Sequence, residues 1–170
     1  FSTENSKRPE NEVLYIFNLL SWYLENEASE LQKHGIKLKF IGQLNLLSKR
    51  LQNSINRITE ATKYNNKITL YIALNYGSLQ EIADACQKII NFGVKSITAE
   101  QFKDYLYDPE MPSVDLLIRP GRVFRVSNFL LWQIAYAELY FSQKYWPEFN
   151  REDLMEALDD YSKRKRSFGL

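Results

Sequence analysis

From Asn11 to His34 apolar residues recur at helical spacing, with Val13, Ile16, Phe17, Leu20 and Leu24 on one face. Leu14, Leu19, Trp22 and Tyr23 widen that surface well beyond a single stripe. A helix that is apolar on more than one face has to be buried on more than one face. The segment therefore reads as a central core helix; the alternative is a helix whose second face lines an apolar cavity. His34-Gly35 closes it, with glycine where a left-handed residue ends a helix. Ile36–Ile41 (IKLKFI) alternates apolar and basic residues and reads as a strand. Ser48–Tyr64 reads as a second helix, with Leu51, Ile55, Ile58 and Thr62 on one face, and Asn65-Asn66 marks a turn. Ile68–Leu74 (ITLYIAL) is a nearly continuous β-rich apolar run, suited to a strand covered on both faces. Ser78 to Glu81 has the form of a capping box and opens a helix that runs to about Asn91. Thr98 to Gln101 repeats that logic for a short helix.

Asp115–Arg119 (DLLIR) reads as another short strand, Ser127–Tyr136 as a helix and Ala137–Phe141 as a last strand. Asn150 caps a final helix whose first turn holds Glu152 and Asp153, where acids favour the dipole. Lys163 to Arg166 puts cations at its other end. Helices alternating with short apolar strands predict an α/β fold with a mostly parallel sheet surrounded by helices. The length of 170 residues fits one domain, residues 1–170. The strands are few for a doubly wound sheet. Phe1 stands where Met would be expected, and Phe1 to Asn5 reads as the exit of a strand whose body would precede it.

Composition narrows the function classes. The net charge of +1 argues against bulk binding to nucleic acid. Cys86 is the single cysteine, so no intrachain disulfide is possible and a reducing compartment fits. No apolar run approaches the roughly 20 residues that span a bilayer, and Phe1 to Glu12 lacks the pattern of a signal peptide. The expected location is the cytoplasm, or the periphery of a membrane.

In open parallel sheets ligands bind beyond the carboxyl ends of the strands. Three segments would meet there: Phe1 to Pro9, Leu74 to Ser78, and Arg119 to Ser127. The third carries Arg119, Arg122 and Arg125 with no acid among them. A guanidinium is a planar fork of donors suited to phosphate oxygens. A helix starting at Ser127 would add free N–H groups and the positive end of its dipole. The segment is read as a phosphate or diphosphate site, with a basic surface loop as the alternative. Glu138 lies among apolar and aromatic neighbours, where an acid has to be paired or bound to metal. It is either a Mg²⁺ ligand beside a diphosphate or the partner of a nearby arginine. Asn5 could orient a substrate or relay a proton, or belong to a plain loop. His34 and Cys86 read as a helix cap and a core residue.

FSTENSKRP resembles the FSTENW-x-RP of the cis-prenyltransferases, the isoprenyl transferase or undecaprenyl diphosphate synthase family. IALNYGS resembles that family's ALNYGG. DLLIR followed by RVSNFLLWQIAYAELYF and WPEF resembles its long third block, and KRKRSFG its basic ending. The resemblance implies a mostly parallel sheet ringed by helices, assembled as a homodimer. It implies Mg²⁺-dependent addition of isopentenyl diphosphate to an allylic diphosphate such as farnesyl diphosphate, as in the synthesis of the bacterial cell-wall lipid carrier. It implies further that the growing chain enters an apolar tunnel and that the product is handed to a membrane. Position by position, Arg119, Arg125, Val126 and Ser127 correspond to the isopentenyl diphosphate site. Glu138 corresponds to the metal-binding acid, Asn5 to the proton acceptor and Arg8 to a loop arginine. Ser2, Thr3 and Glu4 fall in the substrate-contacting stretch.

Three departures accompany the resemblance. No segment matches the family's MDGNGRWA motif, whose Asp is the central catalytic residue and which would belong to about two βα units of ~30 residues ahead of Phe1. Ser6 stands where the family has Trp. Pro120 to Phe124 (PGRVF) replaces T-[SG]-G-E-x, so that Val123 stands in place of a carboxylate. The chain alone is accordingly expected to be inactive. The alternative is a non-catalytic partner subunit, or a degraded or split gene product, of the same family.

Overall fold

The structure is a computed structural model that describes residues 1–26 and 28–165. The Arg166, Phe168 and Gly169 of the basic ending therefore lie outside the described residues. The chain folds as two compact units, Phe1–Pro109 and the unit that begins at Glu110.

In the first unit, a single turn of 3₁₀ helix (Thr3–Lys7) leads into α1 (Glu10–Asn26), followed by α2 (Ala28–Lys33) and β1 (Ile36–Ile41). Then come α3 (Lys49–Thr62), β2 (Ile68–Ala73), α4 (Ser78–Asn91) and the short α5 (Ala99–Phe102). β1 and β2 run parallel, in register from Ile36 opposite Ile68 to Ile41 opposite Ala73, and α3 makes the crossover that parallel strands require. The stripe read on α3 is its buried face: Leu51, Ile55 and Ile58 join Leu24, Leu38, Leu47 and Leu74 in the core. Each such side chain contributes about 1.5–3 kcal/mol on burial. The Thr62 hydroxyl donates to the Ile58 carbonyl and accepts from the Leu38 amide at 3.1 Å, tying the end of α3 to β1. The Ser48 hydroxyl accepts from the Leu51 amide and caps the helix. Gly35 takes φ of +69°, the left-handed turn expected after the helix that precedes β1.

Four expectations are corrected in this unit. Cys86, expected in the core, is exposed on α4. The face of α1 that carries Leu14, Leu19, Trp22 and Tyr23 is exposed rather than buried. Phe17, Leu20 and Leu24 alone turn that helix toward the core, because within this unit α1 packs on one side only, chiefly against α3. β2 is not covered on both faces: Ile68 and Leu70 are exposed, since the pair β1–β2 has helices against part of its surface only. Ser78 to Glu81 is no capping box. Gly77 stands at the N-cap without a side-chain bond, and Glu81 is buried (1 % exposed) and held by two other residues.

The second unit contains β3 (Leu116–Pro120), β4 (Glu138–Ser142) and α6 (Arg151–Lys163). β3 and β4 are again parallel, from Leu116 opposite Glu138 to Pro120 opposite Ser142. Asn150 and Asp153 form a reciprocal box at the start of α6: each side chain accepts from the other's amide, at 3.2 and 2.9 Å. The helix read over Ser127–Tyr136 is absent. Ser127, Asn128 and Leu130 have φ of +48°, +59° and +51°, which no right-handed helix accommodates, and the segment folds as a series of turns. Both units thus pair parallel strands with helices, as the α/β reading requires.

Candidate functional site

At the carboxyl end of β2 the first two candidate segments meet. Ser2 forms a parallel bridge with Tyr76, just past β2. The Thr3 amide donates to the Tyr76 carbonyl at 3.1 Å, and the Tyr76 amide donates to the Phe1 carbonyl at 3.2 Å. The chain then turns. The Asn5 side-chain oxygen accepts from the Ser2 amide at 2.9 Å and from the Ser2 hydroxyl at 3.1 Å. Asn5 is thereby fixed by the strand end that precedes it. The Thr3 hydroxyl donates to Glu4, and the Arg8 guanidinium reaches forward to Glu12 in the first turn of α1 at 2.5 Å. Both members of that last pair are about half exposed, so it holds the arginine in place more than it stabilises the fold.

A cleft of about 450 Å³ opens beside this turn. That volume falls in the range of small-ligand sites. Phe1, Val13, Phe17, Leu46 and Leu47 give it an apolar wall, and Thr3, Arg8, Glu10, Gln43 and Asn75 a polar one. Val13 and Phe17, in the amino-terminal half of α1, are that helix's contribution to this cleft. Gln43, Leu46 and Leu47 come from the loop after β1, which the sequence did not single out. A loop carries no periodic signal, and only the parallel pairing of β1 with β2 brings its residues next to Asn75.

In the second unit, Arg119 stands on β3 and the loop that follows folds back over it. Its guanidinium donates to the Arg125 carbonyl and to the Ser127 hydroxyl, the latter at 2.7 Å. The Arg125 main chain and the Ser127 hydroxyl, with Val126 between them, are thus gathered on the Arg119 guanidinium. Arg122 does not join them: its Nε donates to the Gln143 carbonyl at 2.7 Å and its guanidinium lies over the Tyr145 ring. The guanidinium held at the centre of this loop is therefore that of Arg119. The loop also lacks the helix dipole expected from Ser127 onward, because that segment is not helical.

Glu138, the first residue of β4, is half-buried and paired with Arg164 at 2.8 Å. Arg164 also donates to Asp160 and to the Leu139 carbonyl. The bond to Glu138, and then that to Asp160, holds the guanidinium above its already high ordinary pKa. Glu138 therefore has an arginine partner, as one of its two readings supposes. Among the described residues no three His, Cys, Asp or Glu side chains are grouped to hold a metal ion. No helix among them is long and apolar enough to cross a membrane.

These arrangements have close counterparts. A family model described as putative undecaprenyl diphosphate synthase matches residues 1–169. The isoprenyl transferase of Rickettsia bellii is 62% identical over 169 residues, which are 99% of this chain and 75% of that protein. The isoprenyl transferase of Thermotoga maritima is 41% identical over 173 residues, covering 99% of this chain and 74% of that protein. Among solved structures, a probable undecaprenyl diphosphate synthase from Campylobacter jejuni has a TM-score of 0.89 at 34% identity, over 100% of this chain and 80% of that one. Lavandulyl diphosphate synthase from Lavandula x intermedia, solved with dimethylallyl diphosphate, has a TM-score of 0.93 at 29% identity, over 100% of this chain and 76% of that one. With a family match along nearly its whole length and the FSTEN turn and the loop on Arg119 both folded into compact sites, the chain belongs to the undecaprenyl diphosphate synthase family of isoprenyl transferases.

Proposed function

We propose that the chain takes part in joining isopentenyl diphosphate to an allylic diphosphate, farnesyl diphosphate in the first instance, with cis geometry. Both units then serve one prenyltransferase domain. The observation that carries the reading is the cluster at the end of β3. Arg119 and Ser127 lie within one hydrogen bond of each other, and Arg125 follows in the same loop. The Ser127 hydroxyl accepts from Arg119, so its own proton is free to be given to a phosphate oxygen. The Arg119 guanidinium and the Ser127 hydroxyl, joined by Arg125 from the same loop, would make a donor set matched to a diphosphate. The cleft that Thr3 and Arg8 help to line offers an apolar wall with a polar rim, which suits an isoprenoid carrying a charged head. Asn5 would accept or relay the proton lost on condensation, with Ser2, Thr3, Glu4 and Arg8 around it.

Glu138 is a single carboxylate, and Mg²⁺ commonly takes one or two carboxylates together with phosphate oxygens. The residues present therefore fit a Mg²⁺ ion shared with a bound diphosphate, not one caged by protein alone. When bound, the ion would neutralise charge on the departing diphosphate. Glu138 has to give up or share Arg164 for this to happen. The 170 residues contain no counterpart of the MDGNGRWA block, and in this reading they turn over no substrate by themselves. Assembly as a homodimer and delivery of product to a membrane belong to the same reading.

The test is calorimetric titration of the chain with isopentenyl diphosphate, with and without Mg²⁺. Binding is expected, with Arg119→Ala weakening it by about tenfold or more and Ser127→Ala by less. Absence of binding, or binding indifferent to Arg119→Ala, overturns the reading. A second reading, a non-catalytic subunit that assembles with an active relative, is favoured by one observation. Val123 stands where the family carries an acid, and Arg122 beside it is spent on Gln143 and Tyr145. Co-purification with an active family member, together with raised turnover of the mixture, would decide for that reading.

A further inference from the structure

Glu81 is the one carboxylate in the first unit that is almost wholly buried (1 % exposed) among the described residues, and nothing in the proposed chemistry uses it. Burying a carboxylate is costly unless hydrogen bonds replace its water. Here the Tyr76 hydroxyl donates to one oxygen at 2.6 Å, and the Tyr107 amide donates to the other at 3.1 Å. Tyr76 is itself buried (2 % exposed), so its ring has no room to choose another orientation. Its backbone is the part that meets the site. The Tyr76 carbonyl receives the Thr3 amide, its amide reaches the Phe1 carbonyl, and Ser2 is bridged to it. Ser2 in turn supplies both donors to the Asn5 side-chain oxygen.

We infer that Glu81 is a positioning residue for Asn5, acting through Tyr76: the buried carboxylate fixes the Tyr76 ring, and the Tyr76 backbone fixes the Ser2–Asn5 turn. The neighbourhood supports a fixed ring. Tyr107 packs edge-on to Tyr76 with centroids 6.1 Å apart, and its own hydroxyl donates to Asp84 at 2.6 Å. Tyr107, Asp84 and Glu81 thus close around Tyr76 from the α4 side. Asn75, next to Tyr76, has φ of +47° and lines the same cleft as Thr3. A ring that tips would therefore move both Thr3 and Asn75 in the polar wall of the cleft. The importance of Asn5 rests on the proposed function; the coupling from Glu81 to Ser2 does not.

The experiment is amide hydrogen exchange by NMR on the whole chain, which requires no turnover, so its outcome is separable from the fate of the proposed activity. Three variants are compared: Tyr76→Phe, Glu81→Ala and Glu81→Gln. Tyr76→Phe removes only the hydroxyl and keeps the ring, so it remains informative if Glu81→Ala fails to fold. In Tyr76→Phe the Thr3 and Tyr76 amides are expected to exchange about tenfold faster, about the worth of one hydrogen bond. The Leu51, Ile55 and Ile58 amides of α3 keep their rates. Glu81→Gln retains an acceptor for Tyr107 and an amide that can bond the Tyr76 hydroxyl, and it should restore rates to within about twofold of the native chain. Equal acceleration in α3 and in the turn would mean a general loss of stability and would overturn the inference. Unchanged exchange at Thr3 and Tyr76 would overturn it as well.

Discussion

A Cβ at Gly42 would lie 2.0 Å from the Leu74 carbonyl oxygen, and the residue holds φ of +124°. Both facts exclude any other side chain without backbone movement, because the loops leaving β1 and β2 touch there. Gln43 and Asn75, the next residues on each loop, line the cleft. Gly42→Ala is therefore expected to cost at least about 2 kcal/mol, combining backbone strain with the close approach. Urea unfolding measures it. At Asp153 the Lys144 ammonium, and then the Asn150 amide, holds the carboxyl below its ordinary pKa. A depressed folded pKa gives stability that is present above the unfolded value and lost as pH falls through the folded one. Thermal melts should thus show α6 and its surroundings losing stability below about pH 4. Asp153→Asn should flatten that dependence, and a pH profile as steep as that of the native chain would refute the assignment. Residue by residue, the motif-bearing side chains were legible in the sequence: Asn5, Arg119 and Ser127 each prove to be tied into a local cluster. Glu81 was misread because the same four residues, S-x-x-E, spell a capping box whether the acid bends back to the helix start or turns into the core. Only the presence of Tyr76 and the Tyr107 amide beside it decides between the two.

At the level of elements, the apolar runs and stripes located β1, α3 and β2 to within a residue or two, and the S-x-x-E pattern located α4 although the box itself is not formed. Burial was less legible. α1 carries enough apolar residues for two buried faces, yet Leu14, Tyr15, Leu19, Trp22 and Tyr23 are all exposed. Pattern records what a surface could cover and not what is there to cover it. The contrast is measurable. Leu51, with no exposed surface, sits at the centre of the core, and Leu51→Ala should cost about 2–5 kcal/mol. Leu19→Ser on the same unit should fall within about 0.5 kcal/mol of the native chain. Equal losses would show that α1 is covered in solution. The segment over Ser127–Tyr136 fails for a different reason. Its apolar spacing is helical, but Ser127, Asn128 and Leu130 occupy left-handed backbone, and Leu130 is at the same time buried (6 % exposed). Packing of that side chain, together with the bonds from Arg119 to the Arg125 carbonyl and Ser127, wins over local helix preference.

For the whole chain, each unit contributes one parallel pair, and among the described residues β2 pairs with β1 along its length and meets Ser2 only beyond its end. Within the first unit the outer edge of β2 from Ile68 to Leu70 is thus without a strand partner among the described residues, and Ile68 and Leu70 are exposed. An open edge beside exposed apolar side chains is a template for another strand. The exposed face of α1 adds Leu14, Tyr15, Leu19, Trp22 and Tyr23 to the apolar surface of the same unit. Net charge does nothing to oppose association, since at +1 the molecules barely repel one another. The chain by itself is therefore expected to self-associate with rising concentration and to be poorly soluble. Sedimentation velocity across a concentration series is the direct measurement. Thr69→Lys and Leu70→Lys, which place charge on the open edge of β2, should shift the distribution toward smaller species. Leu14→Ser and Leu19→Ser separate the two sources: if they abolish association while the β2 variants do not, the helix face is responsible and the strand edge is not. A chain that stays monomeric at every concentration and melts cooperatively would contradict the argument from both surfaces at once.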